Sequence, residues 1–269
     1  FVSCQKEQKY LTDYVNPFIG TGGHGHTYPG ASAPFGMVQL SPDSRLDGWD
    51  GCSGYHYSDS IIYGFSHTHL SGTGVSDYGD ILLIPTTGEL LLNNGAAGNP
   101  GYSSTFSHEN ETATAGFYQV FLENYNVDVE LTTSQRAGFH KYTFQKDEAA
   151  QVVLDLDHRD RLLDYKIELV DSNTLQGIRY SDNWAREQKV HFYMQFSKNL
   201  QSITFNEKQS VAGISFGKLQ EPLLVKVGIS AVSTEGAKAN LQAEIPHWDF
   251  EKTKAETTDL WEKELSKII

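Results

Sequence analysis

The residues with the most chemical potential are two pairs of histidines spaced i, i+2. His24 and His26 sit in Asn16-Pro17-Phe18-Ile19-Gly20-Thr21-Gly22-Gly23-His24-Gly25-His26-Thr27-Tyr28-Pro29-Gly30. His67 and His69 sit in Gly64-Phe65-Ser66-His67-Thr68-His69-Leu70-Ser71-Gly72-Thr73-Gly74. In extended chain, i and i+2 side chains share a face, so each pair could clamp one metal ion. The same imidazoles could instead hold their loops in shape by hydrogen bonding. The second reading is favoured, because no nearby carboxylate pattern completes a metal site; Asp77 and Asp80 are the nearest candidates. Gly20-Thr21-Gly22-Gly23-His24-Gly25 also has the glycine count of a dinucleotide fingerprint. That fingerprint must open a helix, and His26-Thr27-Tyr28-Pro29-Gly30 cannot. A glycine-rich loop can still bring its backbone close to a ligand.

Three further stretches carry chemistry. Asp43 to Tyr57 is rich in turn residues and places Trp49 between Asp47 and Asp50. An aromatic face for the C–H side of a ring and carboxylates for its hydroxyls are the ingredients of a sugar site; an ordinary loop with one anchoring Trp fits equally well. Asp155, Asp157, His158, Arg159, Asp160, Arg161 and Asp164 form a charge cluster. Paired carboxylates there could do acid–base work, but a solvated turn after a strand is the favoured reading. Cys52 could be a nucleophile, yet no Cys-His-Asn arrangement is identifiable from spacing.

These loops need a scaffold, and the chain writes one in alternation. Val190, Phe192, Met194 and Phe196 alternate with polar residues, as do Leu223, Val225, Val227 and Ile229, and Val127, Val129 and Leu131. Gly138 to Phe144, Gln151 to Leu156, Thr174 to Tyr180 and Val211 to Phe216 also read as strands. Asn94-Gly95 marks a turn after a strand expected over Glu89 to Leu92. Strands this dense, with no helical pattern between them, predict an all-β fold: a large antiparallel β-sandwich. After Pro246 the period changes. Phe250, Thr253, Thr257, Leu260, Trp261, Leu265 and Ile268 fall at helical spacing, with Asp249 as cap, and predict one long amphipathic helix from Trp248 to Ile269. The expected organisation is a polar tail over 1–12, the sandwich over 13–245 and a linker helix over 246–269.

Composition narrows the partners. The 269 residues are 39% hydrophobic and 12% aromatic, a folded composition with length for a large core. A net charge of −13 argues against nucleic acid and against anionic lipid, and leaves neutral ligands open. No run of about 18 apolar residues is present to span a membrane. Phe1-Val2-Ser3-Cys4 resembles the end of a bacterial lipoprotein signal, which would place a lipid on Cys4 and the protein in the cell envelope or outside it. A disulfide between Cys4 and Cys52 is open, although Cys4 lies in the tail.

The run Val15-Asn16-Pro17-Phe18-Ile19-Gly20-Thr21-Gly22-Gly23-His24-Gly25-His26-Thr27-Tyr28-Pro29-Gly30-Ala31 and then Pro34-Phe35-Gly36-Met37-Val38-Gln39-Leu40-Ser41-Pro42-Asp43 closely resembles the start of glycoside hydrolase family 92. Ser53-Gly54-Tyr55-His56-Tyr57, the Gly64 to Gly74 run, Asp77-Tyr78-Gly79-Asp80, Arg136-Ala137-Gly138-Phe139-His140 and Trp184-Ala185 fit in the same order. The resemblance implies a calcium-dependent, inverting, exo-acting α-mannosidase, with α-1,2 linkages as the expected target and mannose-containing glycans as substrate. It implies a β-sandwich, a helical linker and a following (α/α)6-barrel that carries the acid, the base and most calcium ligands; this chain matches only the sandwich and the start of the linker. It implies pocket-side positions at Gly22, Gly23, Trp49, Asp50 and Cys52, supported by His24, His26, His67 and His69.

Three functions compete. The N-terminal domain of such an enzyme predicts no turnover by this chain alone. An autonomous carbohydrate-binding module predicts mannoside affinity without a barrel. A metal hydrolase built on the histidine pairs predicts stoichiometric metal.

Overall fold

The structure, a computed structural model, describes residues 10–145 and 147–268; Cys4 lies outside them, and the anchor expected there with it. Two antiparallel sheets form the sandwich. The first has seven strands in the order β1 (Ala31–Ser32), β2 (Gln39–Asp43), β4 (Gly64–Ser66), β5 (Leu82–Thr86), β11 (Ala149–Asp155), β16 (Val211–Lys218) and β15 (Ser202–Phe205). The second has eight: β12 (Arg161–Asp171), β13 (Thr174–Asp182), β14 (Gln188–Phe196), β17 (Leu223–Ser230), β10 (Ala137–Phe144), β9 (Val127–Thr133), β8 (Phe117–Leu122) and β7 (Glu111–Thr114). A small ribbon pairs β3 (Ile61–Ile62) with β6 (Ser104–Thr105).

The alternation predicted from sequence is what fixes the faces. Leu223, Val225, Val227 and Ile229 on β17 are fully buried, as are Phe192, Met194 and Phe196 on β14. Each such side chain stabilises the fold by about 1.5–3 kcal/mol. A slip of one residue would turn the whole row outward. The opposite face of the second sheet carries its own smaller cluster: Phe117, Ala137, Phe139 and Tyr193 pack against two helices.

Those helices correct the sequence reading in one respect. The segment Thr234–Glu244 is a helix, α1, inside the 13–245 stretch assigned to the sandwich, where no helix was expected. Only Ala237 and Leu241 are buried on it, too few to stand out as a pattern. Its cap is local, with Ser233 Oγ accepting from the Gly236 amide at 3.0 Å. The second helix, α2 (Phe250–Leu265), starts as expected: Asp249 Oδ1 accepts from the Lys252 amide at 3.0 Å. It packs back on the sandwich. Phe250 meets Phe139 edge-on at 5.3 Å, the Trp261 indole donates to Ser32 O at 2.7 Å, and Glu262 accepts from the Thr12 amide at 2.7 Å. A second correction concerns Glu89 to Leu92. The strand lies earlier, at β5, and Leu90 and Leu92 are loop residues packed on the core. The predicted turn follows, closed by Asn93 and Asn94 side chains on the next amides but one.

Candidate functional site

The glycine-histidine loop, the Trp49 loop and the segment after His69 meet at one end of the sandwich. The first loop folds on itself: the Thr27 amide donates to Gly20 O at 3.3 Å. A Cβ on Gly25 would lie 2.0 Å from that same carbonyl, so only glycine permits the turn. The turn sends the two imidazoles to a common partner. His24 Nδ1–H donates to Asp50 Oδ1 at 2.6 Å, and His26 Nε2 lies 3.6 Å from the same oxygen. His24 is exposed and His26 is buried. The His24 hydrogen bond holds the Asp50 carboxyl below its ordinary range.

Trp49 stands beside them. Its ring is 62% exposed, the largest investment of open aromatic surface in these loops. The ring is nonetheless placed. The His26 imidazole meets it edge-on at 5.0 Å and 77°, and a Cβ on Gly74 would fall 2.1 Å from its atoms. The benzo ring of the indole therefore packs directly against the bare backbone at Gly74. Gly22 and Gly23 are exposed on the neighbouring loop, where the Gly23 carbonyl accepts from His56 Nε2 at 3.2 Å. Cys52 is different. It is a free cysteine, buried beneath this surface, with its thiol donating to Thr73 O at 2.7 Å. Burial raises its pKa, which argues against a thiolate nucleophile.

What holds the Trp49 loop is a residue that sequence reading assigned to a solvated turn. Arg159 is buried, and its guanidinium donates to Arg45 O at 2.7 Å and Gly51 O at 2.8 Å. Asp155 and His158 are buried as well. The reason is that the chain dives under the 43–54 loop instead of turning out to water. Asp43 lies there with His69 Nε2 at 3.3 Å and His158 Nε2 at 3.5 Å from Oδ1. Burial alone would raise the Asp43 pKa, but the two imidazoles outweigh it and hold the carboxyl well below the usual range. Nearby, Arg179 is fully buried and paired with Asp80, and it also donates to Leu156 O at 2.8 Å. The one sequence signal for this layer was a charged run following directly on an apolar strand, and its direction could not be read.

The second histidine pair does not chelate. His67 Nδ1–H donates to Ile81 O at 2.7 Å, and His69 Nδ1–H donates to Gln39 O at 2.8 Å. Beyond that the two diverge. His69 turns to Asp43, while His67 Nε2 lies 3.1 Å from His140 Nε2 on β10. The Tyr142 hydroxyl donates to His140 Nδ1 at 2.8 Å. One set of protons satisfies the whole chain: Tyr142 to His140, His140 to His67, His67 to Ile81, with both imidazoles neutral. Burial agrees, pushing His67 down to about 4 and His140 well below its ordinary value. His67 and His69 thus brace the interior between the sheets, away from the exposed cluster.

A calcium ion takes six to eight oxygen ligands. The exposed cluster offers the single carboxylate Asp50, already engaged by imidazoles. Among the described residues no group of three or more His, Cys, Asp or Glu could hold a metal. The donor set of the described residues does not fit calcium.

The fold and these loops have counterparts. The pattern of the glycosyl hydrolase family 92 N-terminal domain matches residues 14–230, and that of the family's catalytic domain matches 236–269. The family GH92 alpha-mannosidase BT3965 of Bacteroides thetaiotaomicron superposes with a TM-score of 0.91 at 37% identity, over 98% of this chain and 39% of that one. The inverting mannosidase BT2199 of the same organism gives 0.82 at 26% identity, over 96% and 36%. A protein of Arthroderma benhamiae described as an uncharacterized secreted glycosidase is 25% identical over 99% of this chain and 39% of its own length. The chain spans about two-fifths of each of these relatives. With a match over most of its length, the chain belongs to glycosyl hydrolase family 92, whose N-terminal domain it carries.

Proposed function

We propose that this chain is the N-terminal part of an exo-acting α-mannosidase, with α-1,2-linked mannose as the preferred target, and that its loops form one wall of the mannose pocket. The observation that carries the reading is the exposed Trp49 ring, placed by His26 and Gly74 beside a carboxylate that His24 keeps ionised. The ring suits the C–H face of a sugar, and Asp50 suits its hydroxyls. An ionised Asp50 is an acceptor and not an acid, so this wall binds and orients.

Proton transfer belongs to the catalytic region that follows, which is also where calcium would be held. Inverting hydrolysis needs a carboxylic acid at the leaving oxygen and a carboxylate about 6.5–9.5 Å away that activates water; the solved relative BT2199 is an inverting mannosidase. The protein is expected outside the cytoplasm, like the secreted relative, in a bacterial envelope if Cys4 carries lipid. The test is Trp49→Ala in the polypeptide that includes the catalytic region. Loss of the stacking surface should raise KM for an α-mannoside roughly 5–30-fold, equivalent to about 1–2 kcal/mol, at unchanged melting temperature. An unchanged KM would remove Trp49 from the pocket. This chain alone, with calcium, should not turn over an aryl α-mannoside.

A further inference from the structure

The side chains of Asp43 and His69 are sealed from water under the loop that carries Trp49 and Asp50. His69 Nδ1–H donates to Gln39 O at 2.8 Å. Its Nε2 lies 3.1 Å from Ser66 Oγ and 3.3 Å from Asp43 Oδ1. Ser66 has one hydroxyl proton and donates it to Asp43 Oδ2 at 2.5 Å. The His69 Nε2 thus faces two acceptors and carries a proton of its own, which makes His69 an imidazolium. Asp43 is its counter-ion: burial alone would raise that carboxyl, and the imidazoles of His69 and His158 outweigh burial and hold it ionised. Asp43 Oδ1 has no hydrogen-bond partner among the described residues, and charge ties it to the imidazole nitrogens 3.3 and 3.5 Å away.

The pair is built against the backbone of the Trp49 loop. Gly54 has a φ of 87°, and a Cβ there would lie 2.5 Å from Asp43 Oδ1 and 2.8 Å from His69 Cδ2. No side chain fits between, so the peptide rests directly on the two charged groups. Gly54 passes that position on. Its amide donates to Gly51 O at 2.9 Å, and its carbonyl accepts from the amides of Ser44 and Arg45 at 2.8 and 3.1 Å. Gly51 ends the short turn Trp49–Gly51. The glycine-histidine loop meets the pair as well, through the Tyr28 ring 5.3 Å from that of His69. Removing the imidazolium would leave a buried carboxylate without its nearest cation, and lifting the turn to admit water is the direct relief.

We propose that Asp43 and His69 are positioning residues for the sugar wall, a buried ion pair that sets the height of Gly54 and through it the placement of Trp49 and Asp50. The inference rests on the sugar-binding role proposed for Trp49. Its test uses the polypeptide that includes the catalytic region, as wild type, His69→Gln and the double variant D43N/H69Q. His69→Gln strands the buried carboxylate, so KM for an α-mannoside should rise roughly 5–30-fold with kcat little changed. The double variant faces amide with amide and buries no charge, so it should recover most of the lost KM. A role in stability alone would lower the melting temperature and leave KM where it was. Nitrogen-15 spectra of histidine-labelled wild type at pH 7 give a readout that needs no variant to fold: the His69 signals, identified by their loss in the double variant, should show both ring nitrogens protonated. A singly protonated His69 overturns the pair. So does a KM in the double variant as high as in a folded His69→Gln enzyme. An unchanged KM in His69→Gln beside a raised KM in Trp49→Ala overturns the inference and leaves the role of Trp49 standing. An unchanged KM in Trp49→Ala removes the sugar wall itself, and this inference with it.

Discussion

Replacing Arg159 with Met should loosen the Trp49 loop without touching its sequence. Met keeps the apolar stem, which packs where a Cβ on Gly79 would lie 3.0 Å from Arg159 Cδ. It removes hydrogen bonds of 2.7 and 2.8 Å to the carbonyls of Arg45 and Gly51. Bonds from charged donors contribute about 1.5–3 kcal/mol each, and burying the guanidinium costs part of that back. A net loss of about 2–4 kcal/mol is expected, close to 4–8 °C in melting temperature for a domain of this size. Hydrogen exchange should show where the loss falls: amides over 44–54 should exchange faster, while those of the central strand β11 keep their protection. Arg159→Lys, with a single point donor in place of the fork, should recover about half of the shift. A melting temperature within 1 °C of wild type, with unchanged exchange over 44–54, would refute the idea that this guanidinium holds the platform.

Other perturbations probe other parts of the fold. Burial and the neighbouring Asp77 raise the Asp160 pKa to about 7. A carboxyl that holds its proton more tightly when folded loses stability as pH rises, so unfolding followed from pH 4 to 7 should show a decline that Asp160→Asn abolishes; an identical slope in the variant would exclude Asp160 as its source. Burial lowers Lys226 to about 8, although it donates to Ile245 O and His247 O at 3.0 and 3.1 Å. The folded state releases this proton first, so stability should rise from pH 8 towards 10.5, and Lys226→Met should flatten the rise; a rise retained in the variant would assign it elsewhere. Gly74→Ala forces the Trp49 ring off its seat. Turnover of an α-mannoside by the full polypeptide should fall on the order of tenfold to a hundredfold with little change in melting temperature, and wild-type turnover would show that the ring's position is immaterial.

Strands β9, β10, β11, β13, β14, β16 and β17 and the start of α2 were legible in the chain because their signals are local. An apolar residue at every second position declares a face, and Asp249 three residues before Lys252 declares a cap. The motifs around His24, His67 and Asp77 placed the chain in its family for the same reason, being contiguous runs. The candidate site was legible only as a set of parts. His24 and Asp50 are 26 residues apart, Trp49 and Gly74 are 25 apart, and Arg159 reaches carbonyls 108 and 114 residues away. No periodicity records such contacts. The two histidine pairs make the point most clearly. They have identical spacing, yet the turn at Gly25 brings the first pair to one carboxylate at the surface, while the sheets draw the second apart into the core. Residue type and spacing determined which groups could act. Burial and long-range hydrogen bonding, which depend on how distant segments pack, decided which ones face a ligand and which ones brace the fold.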